Sequence, residues 1–148
     1  MSTSELDEIL SDSAAEVLET MFFTSLTGDG AVDESGEPWL SARLSFDGNP
    51  PGSFGVGLPV PDARRMAATF LGEEEESLSG PQVAEVVCEL ANMLCGSVLS
   101  RVEKESRFDL SQPRIEPPEA AAETHTASRT FTLEEGALAV WLDFKQAL

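Results

Sequence analysis

An α+β fold, with helices laid on one face of a largely antiparallel sheet, is what the element order of this 148-residue chain predicts. Stretches with helical period and stretches with strand alternation follow one another as α, β, β, α, α, β, β, β. Two strand pairs are joined by short turn sequences rather than crossover helices, which makes them hairpins. The length and a hydrophobic content of 41% suit one compact domain over residues 1–148, with disorder expected over about residues 1–5.

Each element has a local reason. Ser4 to Phe23 repeats Leu6, Ile9, Leu10, Ala14, Val17, Leu18 and Met21 at helical intervals. Gly28 to Pro38 mixes glycine, proline and acids without a period and reads as a loop. Trp39 to Phe46 alternates, placing Leu40, Ala42, Leu44 and Phe46 on one face, and Asp47 to Gly52 supplies a turn into a second strand, Ser53 to Leu58. Gly55 and Gly57 in that strand suggest close packing under a helix. Asp62 to Leu71 forms a short helix with Met66, Ala67, Phe70 and Leu71 inward and Gly72 as its stop. Ser79 and Gln82 make a capping box, with Pro81 tolerated in the first turn, so a long helix starts sharply and runs from Pro81 to Lys104.

Beyond it, Phe108 to Ser111 reads as a strand leading to Pro113, and Arg114 to Thr126 as a loop rich in proline and alanine. Ala127 to Leu133 and Ala137 to Phe144 are strands around Glu134-Glu135-Gly136, where Gly136 can take positive φ. Trp39 and Trp141 are read as core or interface anchors, Met21 and Met66 as core, Arg64-Arg65 as a surface pair, and His125 as a residue of the polar loop without a partner.

Composition narrows the function. Nine Lys plus Arg against 27 Asp plus Glu give a formal charge of −18, which opposes binding to nucleic acid phosphates. A solvated acidic surface, or a partner with a basic patch, fits better. No apolar run is read as approaching the ~20 residues that span a bilayer. Met1 to Asp12 lacks a basic segment leading into a signal core, so no membrane association and a cytoplasmic location are expected. Cys88 and Cys95 lie about two helical turns apart, ~10 Å of rise, too far for a mutual disulfide, and read as buried thiols. With one histidine and no third cysteine, no metal site is expected.

The long helix carries the candidate site. Its period sets Ala84, Val87, Cys88, Ala91, Leu94, Cys95, Val98 and Val102 inward, and Glu85, Glu89, Asn92, Gly96, Ser100 and Glu103 outward. Glu89 and Asn92, three apart, project from neighbouring turns and can reach one partner, while Gly96 keeps the surface low one turn on. The chain lacks a Gly-x-Ser-x-Gly elbow, a phosphate-cradling glycine loop and a His pair, so self-contained hydrolysis is not expected. A carboxamide does not titrate and an exposed glutamate is a poor base at neutral pH, but the pair can position a water.

The run Val86-Val87-Cys88-Glu89-Leu90-Ala91-Asn92-Met93-Leu94-Cys95-Gly96 resembles the signature helix of the CheC/CheX/FliY phosphatases of bacterial chemotaxis, and the CheX type in particular. The pattern is Glu-x-x-Asn, commonly with Asp or Ser four residues before the Glu and a proline further on. Glu89 and Asn92 match and Pro113 stands at the proline position, whereas the earlier position holds Glu85. The resemblance spans most of the chain and implies a CheC/CheX-like fold. It also lends weight to an echo of the Glu spacing at Glu16-Val17-Leu18-Glu19, since such folds are built on pseudo-symmetry and CheX-like chains carry one active copy.

The implied activity is hydrolysis of the phosphoaspartate of a CheY-like receiver. By that resemblance Asn92 orients the attacking water and Glu89 holds the receiver's lysine, with Glu85, Met93 and Gly96 on the partner-binding surface. The chain itself would bind no cofactor, the Mg²⁺ being supplied by the receiver, and a homodimer is implied, with edge strands Ala127 to Leu133 or Ala137 to Phe144 available for pairing. The alternative is a non-catalytic CheX-like module that docks a receiver or another partner through the acidic helix face, for which Asn92 is not required.

Overall fold

A computed structural model describes residues 3–29, 38–48, 50–103, 107–116, 125–134 and 136–145. The elements are α1 (Thr3–Met21), β1 (Leu26–Asp29), β2 (Trp39–Asp47), β3 (Gly52–Pro59), α2 (Val60–Leu71), a 3₁₀ turn (Glu75–Ser77), α3 (Gly80–Val102), β4 (Asp109–Leu110), β5 (Arg114–Glu116), β6 (Ala127–Leu133) and β7 (Gly136–Phe144). The strands form one antiparallel sheet in the order β1-β6-β7-β3-β2-β4, with β5 also paired to β2. This is the α+β arrangement, helices with a largely antiparallel sheet, that the sequence predicts.

Strand alternation builds the core. Ala42, Leu44 and Phe46 of β2, Phe54, Val56 and Leu58 of β3, and Leu138, Val140 and Leu142 of β7 are buried together with α1 and α3. Ala42 pairs with Val56 and Leu44 with Phe54, so one face of the hairpin is apolar along its length. Gly55 pairs with Trp141, and a methyl at Gly55 would overlap the indole ring. Gly55 and Gly57 therefore lie under a tryptophan on the face turned away from the helices, not under a helix as expected.

Other expectations are also corrected. Leu26–Asp29 is a strand on β6, although Gly28 onward reads as loop; residues 30–37 of that loop lie outside the described residues. Arg114–Glu116, also read as loop, pairs with Ser41, Ala42 and Arg43. Because β6 and β7 are interior strands, neither offers a free edge; the outer strands are β1 and the β4/β5 pair. Met21 and Leu71 are exposed at 40% and 41% rather than inward. α1 already begins at Thr3, within the stretch expected to be disordered, and residues 1 and 2 lie outside the described residues.

The polar residues set aside in the sequence have partners. His125 Nδ1 lies 2.7 Å from Asp143 Oδ2 and its ring stacks on buried Trp141. Arg64 donates to the carbonyls of Glu75 and Leu78, holding the turn after α2, and Arg65 pairs with the buried Asp62. Asp62 also accepts from the Ala137 amide beside Gly136, which takes φ +139° at the β6–β7 turn. Gly72 closes α2 in the left-handed conformation, with φ +68°.

Candidate functional site

α3 begins at the capping box read from the sequence. The Gln82 amide donates to Ser79 Oγ at 3.2 Å and the Ser79 amide donates to Gln82 Oε1 at 2.8 Å, satisfying two otherwise orphaned donors. Val83, Val86, Val87, Leu90, Ala91, Leu94, Cys95, Val98 and Leu99 are buried against the sheet and α1. By length and composition α3 is apolar enough to cross a bilayer, contrary to the expectation; here its apolar side is the core, with half of the apolar window buried. Near its end Arg101 pairs with Glu16 and donates to buried Ser13, tying α3 to α1.

The buried side is rotated from the expected one toward Val83, Val86 and Leu90. Ala84 and Cys88, expected inside, are consequently half-buried and stand at the margin of the helix. There they line an open groove of about 720 Å³ together with Glu85, Glu89, Asn92, Leu110, Ser111, Gln112 and Pro113. One wall is thus α3 and the other is the segment joining β4 to β5. Glu85 and Glu89 are exposed and Asn92 is half-buried, and none of the three has an intramolecular hydrogen bond or ion pair among the described residues.

Of the five residues singled out in the sequence, the groove brings together Glu85, Glu89 and Asn92. Met93 is half-buried and packs against the core, and Gly96 is exposed with nothing within 4 Å of where a methyl would stand; neither lines the groove. Sequence reasoning missed Ser111 and Gln112, and assigned Ala84 and Cys88 to the wrong side. Proximity of the Ser111 segment follows from its pairing with β2, a contact between residues 66 apart. The one local signal was Pro113.

Electrostatics reflect the same arrangement. The Cys88 thiol is pushed above its ordinary value of 9.0, first by burial and then by the carboxylates of Glu85 and Glu89 beside it. Cys95, on the core side, is pushed up to about 12 by burial alone. Both thiols are free, and among the described residues no group of three His, Cys, Asp or Glu could hold a metal ion. The groove therefore offers two unpaired carboxylates and the unpaired carboxamides of Asn92 and Gln112, beside a Cys88 thiol whose thiolate form is disfavoured.

The family described as chemotaxis phosphatase CheX matches residues 40–135, which include the groove, most of the sheet and all of α3. The chain belongs to the CheX family. Three solved CheX structures share its fold at low sequence identity. The CheX of Vibrio vulnificus is 19% identical and has a TM-score of 0.72, covering 98% of this chain and 99% of its own. A CheX–CheY–BeF₃–Mg²⁺ complex from Borrelia burgdorferi contains a chain 17% identical, TM-score 0.72, covering 95% of this chain and 98% of its own. The CheX of Desulfovibrio desulfuricans is 18% identical, TM-score 0.68, with 95% and 99% covered. No curated protein matches the chain by sequence.

Proposed function

We propose that the chain hydrolyses the phosphoaspartate of a CheY-like receiver domain, with Asn92 orienting the attacking water and Glu89 engaging the receiver's lysine. The observation that carries the reading is the pairing of Glu89 and Asn92 on one wall of an open groove, both without an intramolecular partner. Membership in the CheX family supports phosphatase chemistry, and a CheX of the same fold forms a complex with CheY, BeF₃ and Mg²⁺.

The chemistry divides between the partners. The receiver brings the acyl phosphate and the Mg²⁺ that stabilises the transferring phosphoryl oxygens. Asn92 accepts a hydrogen bond from a water and holds it in line with phosphorus, converting a loose encounter into a near-attack geometry. The water oxygen forms the new bond to phosphorus, the bond to the aspartate oxygen breaks with its electron pair on the carboxylate, and the water's proton leaves with the phosphate product. A neutral carboxamide does this without repelling the phosphoryl group, as a second carboxylate there would. Glu89 pairs with the lysine and so contributes chiefly to engagement. The chain needs no cofactor of its own, and we place it in the cytoplasm with its substrate. A homodimer joined edge to edge would use β1 or the β4/β5 edge, the outer strands of the sheet.

The test is the rate of dephosphorylation of a cognate phosphorylated receiver. Asn92→Ala should lower kcat by about 10²-fold, the scale of a misplaced reactant, with KM little changed; Glu89→Ala should mainly raise KM. Equal acceleration by wild type and Asn92→Ala would overturn the role given to Asn92. Glu85, in place of the customary Asp or Ser, favours one competing outcome: binding of the receiver without any shortening of its phosphate lifetime, which identifies a docking module instead.

A further inference from the structure

The wall of the groove opposite α3 is tied to β2. Ser111 donates its amide to the Ser45 carbonyl at 2.8 Å, and the Ser45 amide donates to Ser111 Oγ, also at 2.8 Å. The two hydroxyls are 3.1 Å apart. Just before β4, Phe108 meets Phe46 edge-on with ring centroids 5.8 Å apart. Just after Pro113, β5 is paired to β2, and Arg43 reaches Glu116 at 3.8 Å. Gln112 therefore sits between a serine clamp and a proline that leads directly into a strand, on backbone anchored to β2 on both sides. Its side chain is exposed, lines the groove, and has no hydrogen-bond partner among the described residues.

Charge distinguishes the two walls. The helix wall contributes the carboxylates of Glu85 and Glu89, whereas Leu110, Ser111, Gln112 and Pro113 contribute none. An incoming phosphoaspartate site is itself anionic around the phosphoryl group, so a neutral wall with hydrogen-bonding capacity can approach where another acid could not. A carboxamide carries two donors and an acceptor, enough to engage phosphoryl oxygens or the exposed backbone beside them. Because the supporting backbone is anchored, little ordering of the main chain is needed when the partner arrives.

We infer that Gln112 is a receiver-binding residue, and that the Ser45–Ser111 clamp is the device that positions it across the groove from Asn92. This inference rests on the phosphatase reading above and adds a second contact surface to it. Gln112 supplies affinity and discrimination, not the orientation of water, so its removal acts on KM.

The experiment measures kcat and KM of the full chain with phosphorylated receiver for wild type, Gln112→Ala, Gln112→Glu and Ser111→Ala, alongside melting temperatures. Gln112→Ala should raise KM roughly three- to tenfold with kcat unchanged and no shift in Tm, since the side chain has no described intramolecular partner. Gln112→Glu, nearly isosteric, should raise KM further, and by more at low salt than at high, because it sets a charge against the phosphoryl group. Ser111→Ala should lower Tm and raise KM together. Unchanged KM in both Gln112 variants, with an active wild type, overturns the inference while leaving the phosphatase reading intact; wild type that accelerates nothing overturns the reading instead. A fall in kcat alone in Gln112→Ala would also overturn the inference, because it would place Gln112 in the chemical step.

Discussion

Replacing Gly96 with alanine should stabilise the fold while impairing receiver docking, two effects that are seldom expected of one methyl group. Gly96 lies in the interior of α3, is exposed, and has nothing within 4 Å of the position a methyl would occupy. The substitution therefore meets no steric penalty, and the propensity difference between glycine and alanine in a helix interior, ~0.8–1.0 kcal/mol, is expressed in full. At ~2–4 °C per kcal/mol for a chain of about this length, Tm should rise by ~2–4 °C in a thermal melt followed by far-UV circular dichroism. The same methyl raises the helix surface one turn beyond Asn92, where a docked receiver would approach, so KM for phosphorylated receiver should rise a few-fold. A fall in Tm would refute the description of α3 at this point. A rise in Tm with unchanged KM would keep the fold and remove Gly96 from the docking surface.

The opposite result is expected at Gly55, where a methyl would overlap the indole of Trp141, itself 2% exposed and stacked on His125. Gly55→Ala should cost ~1–3 kcal/mol or more and lower the urea midpoint without changing kcat; an unchanged midpoint would mean that the ring is free to move. Cys88 offers a pH-dependent test of groove geometry. Its folded pKa is raised above 9.0 by burial and then by Glu85 and Glu89, so the folded state favours the thiol. The stability this contributes is present below the unfolded value and lost as pH rises through the folded one. At pH 8 the native protein should therefore react with a thiol reagent more slowly than the urea-unfolded chain, and Glu89→Gln should speed the native reaction at Cys88. No acceleration in Glu89→Gln would place that carboxylate away from the thiol.

What could be read from the sequence was whatever the chain encodes locally. β2 alternates over nine residues, and α3 carries its own cap, so both were legible within a residue or two of their observed ends. β1 was not, because four residues, Leu-Thr-Gly-Asp, are too few to show alternation. The strand also has a register irregularity between Leu26 and Gly28, and Thr27 is held by a side-chain bond to Thr132 far along the chain. β5 is shorter still, and is a strand only because β2 is available to pair with it. The same division runs through the site. Glu89 and Asn92 share a wall because they share a helix, which spacing reveals; Gln112 joins them through pairing of distant strands, which spacing does not. Ala84 and Cys88 sit at the boundary of a broad apolar face, where a modest rotation of the helix exchanges inside for groove.

The echo between α1 and α3 has a counterpart in the sheet. The strand order is nearly palindromic: β3 and β7 pair at the centre, β2 and β6 flank them, and β4/β5 and β1 lie outside. α3 packs over β2 and α1 over β6, so each helix covers the hairpin that follows the other in the chain. A duplicated unit with exchanged partners gives this arrangement directly. The two halves differ in what their echoing positions meet. In α1 the residue that echoes Glu89 is Glu16, and Glu16 is bound to Arg101 at the end of α3. Its carboxylate thus joins the two halves, while Glu89 has no such cation among the described residues and stays open to a partner's. Asn92 has only Glu19 as its counterpart, a charged group that would repel a phosphoryl oxygen instead of serving it with an oriented water. On the proposed reading, two positions three residues apart therefore separate a helix that holds the fold together from one that completes another protein's active site.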